Sequence, residues 1–214
     1  MKILALSDVE LPAVYSSRIR ERFQQTDLVI SCGDLPYYYL EYVLSSLDIP
    51  LYYVHGNHVT EVAQAGGETR AEPWGGVNLH RKVVYDRKLD LVLAGIEGSV
   101  RYSKKAHQYS QARMWWMVLG LVPGLLLNKL LHGRYLDILV THSAPEGIQD
   151  DKDLPHRGIQ AFRWLIRTFK PRLALHGHVH LYTPIIPWKT QFKETLVVNA
   201  YGYREIPWPL PENW

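Results

Sequence analysis

Three histidines occupy alternate positions in the segment LALHGHVH, residues 173–180. An imidazole that is removed from water needs a hydrogen-bond partner or a metal ion. Alternate residues of an extended chain point to the same side, which would let His176, His178 and His180 converge on one point. The pattern fits either a metal site or a polar turn that follows a strand.

Side chains with metal-binding atoms also follow the other predicted strands. They are Asp8 and Glu10 in SDVE, Asp34 in CGDLP, Asn57 and His58 in HGNHV, His142 in THSAP, and the pair His178 and His180. Ligands of open α/β sheets bind at the carboxyl ends of the strands, so we expect these distant segments to meet at one edge. The convergence predicts a metal site more strongly than any single motif does.

The donors of this set are carboxylates, an amide and imidazoles, with no thiolate among them. Such mixed oxygen and nitrogen donors suit Mn, Fe, Zn or similar ions. A carboxylate shared by two ions roughly 3.5–4 Å apart allows them to activate water and to neutralise phosphoryl oxygens. The donor set is therefore compatible with hydrolysis of a phosphate ester.

Short apolar runs that read as buried strands must position these donors. We predict such strands over residues 2–7, 27–32, 50–55, 137–142 and 172–177. Stretches that predict helices lie over residues 15–25, 37–47 and 159–169. The alternation of strand and helix predicts an α/β fold with a largely parallel sheet near its start.

The segments 75–98 and 181–203 differ, because they read as strands joined by turns without long helices. They predict a second sheet, mixed or antiparallel, that packs on the first. The chain contains no internal repeat and no low-complexity linker. We therefore expect a single domain over residues 1–214, with an insertion at about 101–135.

The composition is that of an ordinary globular protein. The 214 residues are 47% hydrophobic and 21% charged, with a net charge of +3 at pH 7. So small a charge allows an anionic substrate but does not predict a nucleic-acid surface. The one cysteine, Cys32, excludes a disulfide within the chain and predicts a buried, inert thiol. The opening MKILALSD is too short for a signal-peptide core, and we expect a cytoplasmic protein.

Residues 114–128, MWWMVLGLVPGLLLN, form an uncharged and strongly apolar stretch. It falls short of the ~20 residues that a membrane-spanning helix needs, and Pro123 interrupts it. We expect two short helices that are buried against the core or form a dimer contact. The tryptophans and the basic neighbours Arg113 and Lys129 leave contact with a membrane surface as the alternative.

The order of the motifs resembles that of the calcineurin-like metallophosphoesterases. An aspartate motif is followed by Gly-Asp, Gly-Asn-His, a further histidine and Gly-His-x-His, from Asp8 to His180. The resemblance implies a four-layer αββα sandwich, in which two packed mixed β-sheets are flanked by helices. It also implies hydrolysis of a phosphodiester or a small phosphomonoester at a dinuclear metal centre, through a metal-bound hydroxide.

For the first ion, the resemblance implies Asp8 and His180 as ligands, with Asp34 bridging to the second ion. The chain departs from the family at Glu10, because the family's first motif is usually Asp-x-His. A glutamate ligand would favour a harder ion, and among Mn, Fe and Zn we therefore expect Mn. The alternative is that Glu10 turns away and leaves a weaker first site.

For the second ion, the resemblance implies Asn57, His142 and His178 as ligands. It places His58 near the leaving-group oxygen, where it protonates that oxygen or stabilises its charge. Many family members carry an acidic residue after this histidine, and here the position is Val59. The orientation of His58 is therefore expected to depend on other residues.

Two further sites are candidates for contact with the substrate. His156 and Arg157 precede a predicted helix, and a helix start can hold the phosphate of a substrate. The cations Arg101, Lys104 and Lys105 are expected in a solvated loop, with an electrostatic lip for a phosphate as the alternative.

The remaining histidines are given structural roles. His55 and His176 flank the motifs, and we expect them to pack in the core or behind the ligands. His80, His107 and His132 are expected on the surface.

Together these features predict a metal-dependent hydrolase that acts on phosphoric ester bonds. The alternative is a non-catalytic member of the family that serves as a protein- or membrane-binding scaffold, as the change at Glu10 suggests. The presence of His58 argues against a scaffold, since a scaffold needs no histidine at a leaving group.

Overall fold

The computed structural model describes residues 1–58, 62–63, 69–182, 187–211 and 214. Its strands are β1 Lys2–Ser7, β2 Leu28–Ser31, β3 Leu51–Tyr53, β4 Val62–Ala63, β5 Thr69–Arg70, β6 Val77–Asn78, β7 Lys82–Asp86, β8 Leu91–Ile96, β9 Ser99–Val100, β10 Gln108–Tyr109, β11 Ile138–Thr141, β12 Leu173–His176, β13 Lys189–Phe192, β14 Thr195–Asn199 and β15 Gly202–Pro207. Its helices are α1 Ile19–Arg22, α2 Tyr37–Leu47, α3 Gln111–Leu119, α4 Val122–His132 and α5 Gln160–Phe169.

The first sheet has the strand order β15–β1–β2–β3–β6. Strands β1, β2, β3 and β6 run parallel, while β15 lies antiparallel to β1 with Lys2 opposite Pro207. The chain continues beyond the carboxyl ends of β1, β2 and β3 into the segments that hold Asp8, Asp34 and Asn57.

The second sheet has the strand order β13–β14–β12–β11–β8–β7. Its four central strands are parallel, and the edge strands β13 and β7 are antiparallel to their neighbours. The sheet is built around β11 and β12, and strands from the two turn-rich segments flank them. His142 follows β11 and His178 follows β12.

Three hydrophobic cores separate four layers of structure. Strand β1 contributes side chains to two of these cores. Ile3 and Ala5 belong to the core between the two sheets, whereas Leu4 and Leu6 belong to the core under α1 and α2. The third core lies between the second sheet and α3, α4 and α5. Because successive side chains of a strand point to opposite faces, each central strand is apolar throughout. The predicted αββα sandwich is confirmed.

Helix α5 matches its prediction within one residue, and its periodicity explains why. Its buried side chains recur at helical spacing, at Ala161, Phe162, Leu165, Ile166 and Phe169. Helix α2 has the predicted bounds, Tyr37–Leu47.

The helix predicted over residues 15–25 is wrong in extent, because α1 covers only Ile19–Arg22. The residues before α1 form turns instead, in which the N–H of Val14 donates to Leu11 and that of Ile19 donates to Ser16.

The insertion at 101–135 contains β10, α3 and α4, and the two predicted short helices are confirmed. The break between them falls at Gly120 and Leu121 rather than at Pro123. Proline fits the first turn of α4, because the N–H that proline lacks would have no partner in that helix. The inner sides of both helices pack on the second sheet through residues such as Met117 and Leu125.

Candidate metal centre

The segments that follow five parallel strands meet at one edge shared by the two sheets. Three residues there hold left-handed backbone conformations, with φ of 67° at Asp8, 56° at Asp34 and 65° at His178. Residues other than glycine rarely adopt this region, and such strain persists mainly where surrounding structure enforces it. Ten non-glycine residues of the described chain have positive φ, and three of them are predicted ligands that meet at this one edge.

A compact cluster of donor atoms forms the centre of the site. One ligand atom each from Asp34, His142 and His178 lies within 4.8 Å of the other two. Asp34 comes from the first sheet, and the two histidines come from the second. The cluster therefore lies where the two sheets meet.

The ring of His142 is buried, and both of its nitrogens are positioned by contacts. Its Nδ1 lies 2.7 Å from the carbonyl oxygen of Cys32, which can only accept, so Nδ1 carries the proton. Its Nε2 lies 2.8 Å from Oδ1 of Asn57 and 3.2 Å from Oδ2 of Asp34. This is how proteins orient a metal-binding imidazole, with one nitrogen on a carbonyl and the other toward the ion.

The ring of His178 is held in the same way by another carbonyl. Its Nε2 lies 2.8 Å from the oxygen of Pro155, which leaves Nδ1 without a proton when the ring is neutral. The backbone N–H of His178 donates to both carboxylate oxygens of Asp8, at 3.0 and 3.1 Å. The GHVH turn therefore positions two of the predicted ligands at once.

Two glycines are required because other chain segments pass too close for a side chain. A Cβ atom at Gly56 would collide with the carboxylate of Asp34. A Cβ atom at Gly177 would collide with the side chains of Ser7 and Asp8. The glycines of the GNH and GHVH motifs thus make room for the carboxylates of the site.

Burial and the neighbouring charges shift the pKa values of the site. Burial raises the pKa of Asp8, whose side chain is only 2% exposed. Burial opposes ionisation of His142, but the carboxylates of Asp34 and Asp8 outweigh burial and raise the pKa of His142 to about 9. Burial, together with the charge on His142, lowers the pKa of His178 to about 3. Without metal, His142 is therefore charged and His178 neutral at pH 7.

For Asp34, burial raises the pKa, but the charge of His142 and the hydrogen bonds outweigh it and lower the pKa overall. One of those bonds comes from the backbone N–H of His58, which donates to Oδ1 at 2.8 Å. Asp34 is therefore an ionised carboxylate at neutral pH.

An open cavity of about 380 Å³ lies over the cluster. It is lined by Asp8, Asp34, His58, Tyr102, Pro155, His156, His178 and His180. Most of the predicted site residues therefore face one space large enough for a small phosphate ester.

The other predicted ligands lie around the cluster at different depths. Asn57 is buried behind it, on His142. His180 is partly exposed at the rim, with Nε2 at 3.9 Å from Oδ1 of Asp8 and Nδ1 at 2.6 Å from the hydroxyl of Tyr182. The predicted catalytic residue His58 is exposed and lines the cavity.

Glu10 does not line the cavity. It is exposed, and its Oε2 accepts a hydrogen bond from the hydroxyl of Tyr38 at 2.6 Å. The arrangement corresponds to the alternative in which Glu10 turns away, because the tyrosine offers the carboxylate a partner outside the site.

Of the two residues predicted to contact a substrate phosphate, only one lines the cavity. His156 lines the cavity, and its Nδ1 lies 2.7 Å from Oδ2 of Asp153. Arg157 is exposed and does not line it. Val59 lies outside the described residues.

Tyr102, which no motif in the sequence singles out, lines the cavity from the insertion. Its hydroxyl oxygen accepts a hydrogen bond from Nδ2 of Asn57 at 2.7 Å. The segment 101–110 is notable in the sequence for its cations, and no spacing within it sets this tyrosine apart.

The surface location predicted for His80 and His107 is wrong. Both are mostly buried around the carboxylate of Glu97, which lies 3.5 Å from Nε2 of His80 and 2.7 Å from Nδ1 of His107. The hydroxyl of Tyr109 donates to the same carboxylate at 2.6 Å. A buried carboxylate needs such partners, and these two histidines supply them.

His132 is also not simply on the surface, because its ring stacks on that of Tyr85 with 3.8 Å between centroids. His176 is buried with Nε2 at 2.7 Å from the side-chain amide of Gln149, in the structural role predicted for it. His55 packs edge-on against Tyr53. The Cys32 thiol is buried, and burial keeps its pKa well above the usual value, as expected for an inert thiol.

The donor set fits divalent metal ions. It combines the ionised carboxylate of Asp34 with two imidazoles whose second nitrogens are fixed by carbonyl groups, and it lies beneath an open cavity. Three convergent donors of these types meet the requirements of Mn, Fe or Zn.

Comparisons with known proteins concern the family and the fold. A family model described as calcineurin-like phosphoesterase matches residues 1–182. The structure of TT1561 from Thermus thermophilus is 16% identical with a TM-score of 0.61, over 96% of this chain and 93% of that one. A novel archaeal phosphodiesterase is 13% identical with a TM-score of 0.39, over 96% of this chain and 99% of that one. No curated protein matches the chain. At 16% identity, the likeness to the Thermus protein shows the fold.

Proposed function

Because the chain belongs to the calcineurin-like phosphoesterase family, we propose that it hydrolyses a phosphodiester or a small phosphomonoester at a centre of two divalent ions. The observation that carries the proposal is the cluster of Asp34, His142 and His178, whose donor atoms lie within 4.8 Å of one another. Its place beneath an open cavity supports a catalytic rather than a closed structural centre.

The family assignment and the geometry together suggest which residues hold the ions. Asp34 would bridge, with His142, His178 and Asn57 at one ion. Asp8 and His180 would hold the other. When bound, two such ions would neutralise phosphoryl oxygens and would lower the pKa of a water molecule toward neutrality.

Proton transfer and contact with the substrate would be provided by other side chains that line the cavity. His58 is exposed at its wall, and we assign it the transfer of a proton to the leaving-group oxygen or the stabilisation of charge there. Asp153 holds His156 through Nδ1, which leaves Nε2 of His156 for a substrate oxygen. Arg157 is left out of this assignment because it lies away from the cavity.

Among the candidate ions we favour Mn²⁺. Asp8, Asp34 and Asn57 offer oxygen atoms beside the imidazoles, and a set so rich in oxygen suits a hard ion. Glu10 would add a further oxygen only if it left Tyr38.

The first test is hydrolysis of bis(p-nitrophenyl) phosphate with added Mn²⁺, and then with a chelator. We expect turnover that the chelator abolishes and that Asn57→Ala lowers by at least about 100-fold. Asn78→Ala is the matched control, because Asn78 is an amide outside the cavity that contacts Glu72. Turnover that survives both the chelator and Asn57→Ala would overturn the proposal.

A second candidate function is a non-catalytic scaffold of the same fold. The observation that favours it is Glu10, whose bond with Tyr38 leaves the first motif with one carboxylate at the cavity. The number of bound ions, measured by elemental analysis of the Mn²⁺-loaded protein, separates the two. Two ions per chain support the hydrolase, whereas one ion without turnover on any ester supports the scaffold.

The cytoplasmic location and the lack of a nucleic-acid partner, both expected from the sequence, stay predictions.

A further inference from the structure

Helices α3 and α4 carry a row of exposed apolar side chains, which we call the outer face. It consists of Trp116, Leu119, Leu126, Leu127, Leu130 and Leu131. Trp116 is 72% exposed and Leu130 is 81% exposed. Single exposed apolar residues are ordinary, but a contiguous row marks a surface that binds something.

The outer face is continuous although the two helices are separate elements. Its residues follow one another at spacings of one, three and seven, which keeps them on one side of a helical path. Gly120 and Leu121, between the helices, also have right-handed helical backbone angles. The face therefore extends along the whole segment Gln111–His132.

The opposite side of the same segment is buried, which excludes a simple membrane span. The segment is long and apolar enough to cross a bilayer by length and composition alone. However, Met114, Met117, Val118 and Leu125 on its inner side belong to the core over the second sheet. A helix pair that is anchored on one side and apolar on the other suits the plane of a membrane interface.

The segment that contains the outer face carries charges of one sign in its own sequence. Residues 98–136 contain six lysines and arginines and no aspartate or glutamate. Arg113, Lys104 and Lys105 are exposed, and none of them forms an ion pair within the described part of the chain. The insertion therefore combines an apolar face with exposed cations, of which Arg113 lies within α3 itself.

We propose that the outer face of α3 and α4 docks on the surface of an anionic lipid bilayer. Apolar side chains would enter the boundary of the acyl region while the cations meet lipid phosphates. A second copy of the chain fits less well, because a two-fold pairing of this face would bring like charges together without a carboxylate from the segment to pair with them. The inference does not depend on the proposed hydrolysis.

The test is co-sedimentation of the full chain with vesicles of phosphatidylcholine, with and without phosphatidylglycerol. We expect binding to the mixed vesicles that weakens in high salt, and a blue shift of tryptophan emission that Trp116→Phe removes. Leu130→Ser should weaken binding about tenfold or more, as the loss of one buried leucine implies. Leu154→Ser is the matched control, since Leu154 is exposed but belongs to the loop before α5 rather than to α3 or α4.

Two outcomes would overturn the proposal. One is failure of the folded protein, checked by circular dichroism, to bind vesicles of either composition. The other is a dimer in lipid-free solution that Leu130→Ser converts to a monomer, which would assign the face to a second copy. Because vesicle binding is read without any substrate, failure of the proposed hydrolysis leaves this test unaffected.

Discussion

At the residue scale, the two histidines of the metal cluster are oriented by carbonyl groups far from them in sequence. Cys32 holds His142 from the first sheet, and Pro155 holds His178 from the loop before α5. The rings therefore stay aimed at the cluster in the absence of a metal ion. Preorganisation of this kind lowers the cost of ordering the site when a ligand binds.

Tyr102 positions the buried amide of Asn57 in a similar way, through a hydrogen bond. The variant Tyr102→Phe lacks the hydroxyl that accepts the 2.7 Å hydrogen bond from Nδ2 of Asn57, so the amide is held less firmly. We expect metal affinity to fall by about tenfold or more, since outer partners of ligands typically have effects of about 10–100-fold. Titration with Mn²⁺ measures this. Tyr135→Phe in the same insertion is the control, and equal affinity in both variants would contradict the prediction.

The charge on His142 predicts proton release on metal binding. Its pKa is raised to about 9, so the metal-free protein holds a proton on Nε2 at pH 7 that a metal ion must displace. We expect release of about one proton per chain at pH 7 and little release above the pKa. Calorimetry of Mn²⁺ binding in buffers of different ionisation enthalpy measures it, and heats independent of the buffer at pH 7 would contradict it.

The types of the site residues could be predicted from the sequence, because each directly follows a strand and the motif order is distinctive. The outward turn of Glu10 and the approach of Tyr102 could not. Both depend on a tyrosine from another part of the chain, Tyr38 in one case and Tyr102 itself in the other. No local spacing of residues predicts contacts between segments so far apart in the chain.

At the scale of elements, α5 packs on the second sheet through one apolar side. Phe162→Ala would leave a cavity in that core, because Phe162 is fully buried. We expect the free energy of unfolding to fall by about 3–5 kcal/mol, measured by urea denaturation. Arg167→Ala on the exposed side of α5 should change it by less than about 0.5 kcal/mol. Equal losses in the two variants would contradict this assignment of the buried side.

Elements with a long regular pattern were predictable, whereas short ones were not. The buried central strands are continuous apolar runs, and α5 repeats its apolar residues over its whole length. In α1 only Ile19 is buried, and strands of two residues such as β9 and β10 are too short to show any period. Tertiary pairing alone defines those elements.

At the scale of the whole molecule, the candidate ligands come from both sheets. Asp8, Asp34 and Asn57 follow strands of the first, and His142 and His178 follow strands of the second. A bound ion would therefore join the two halves. The sequence did not predict which sheet holds β11 and β12, because a strand buried on both faces looks the same in either one.

This bridging predicts that metal ions stabilise the fold. At Mn²⁺ concentrations about 100 times the Kd, one site adds about 2.7 kcal/mol, which raises Tm by roughly 5–10 °C. Thermal denaturation with Mn²⁺ and with chelator measures the difference. Asn57→Ala should show a smaller difference than Asn78→Ala, and an identical response in both would contradict the role of the centre.

The pairing of β15 with β1 has a consequence for the order of events during synthesis. Among the described strands β1 is synthesised first, yet its neighbour on one side is β15, the last of them. Until β15 emerges, that side of β1 is an open edge of apolar chain, which is the kind of edge that recruits other chains. Pairing of this edge therefore has to wait until nearly the whole described chain has been synthesised.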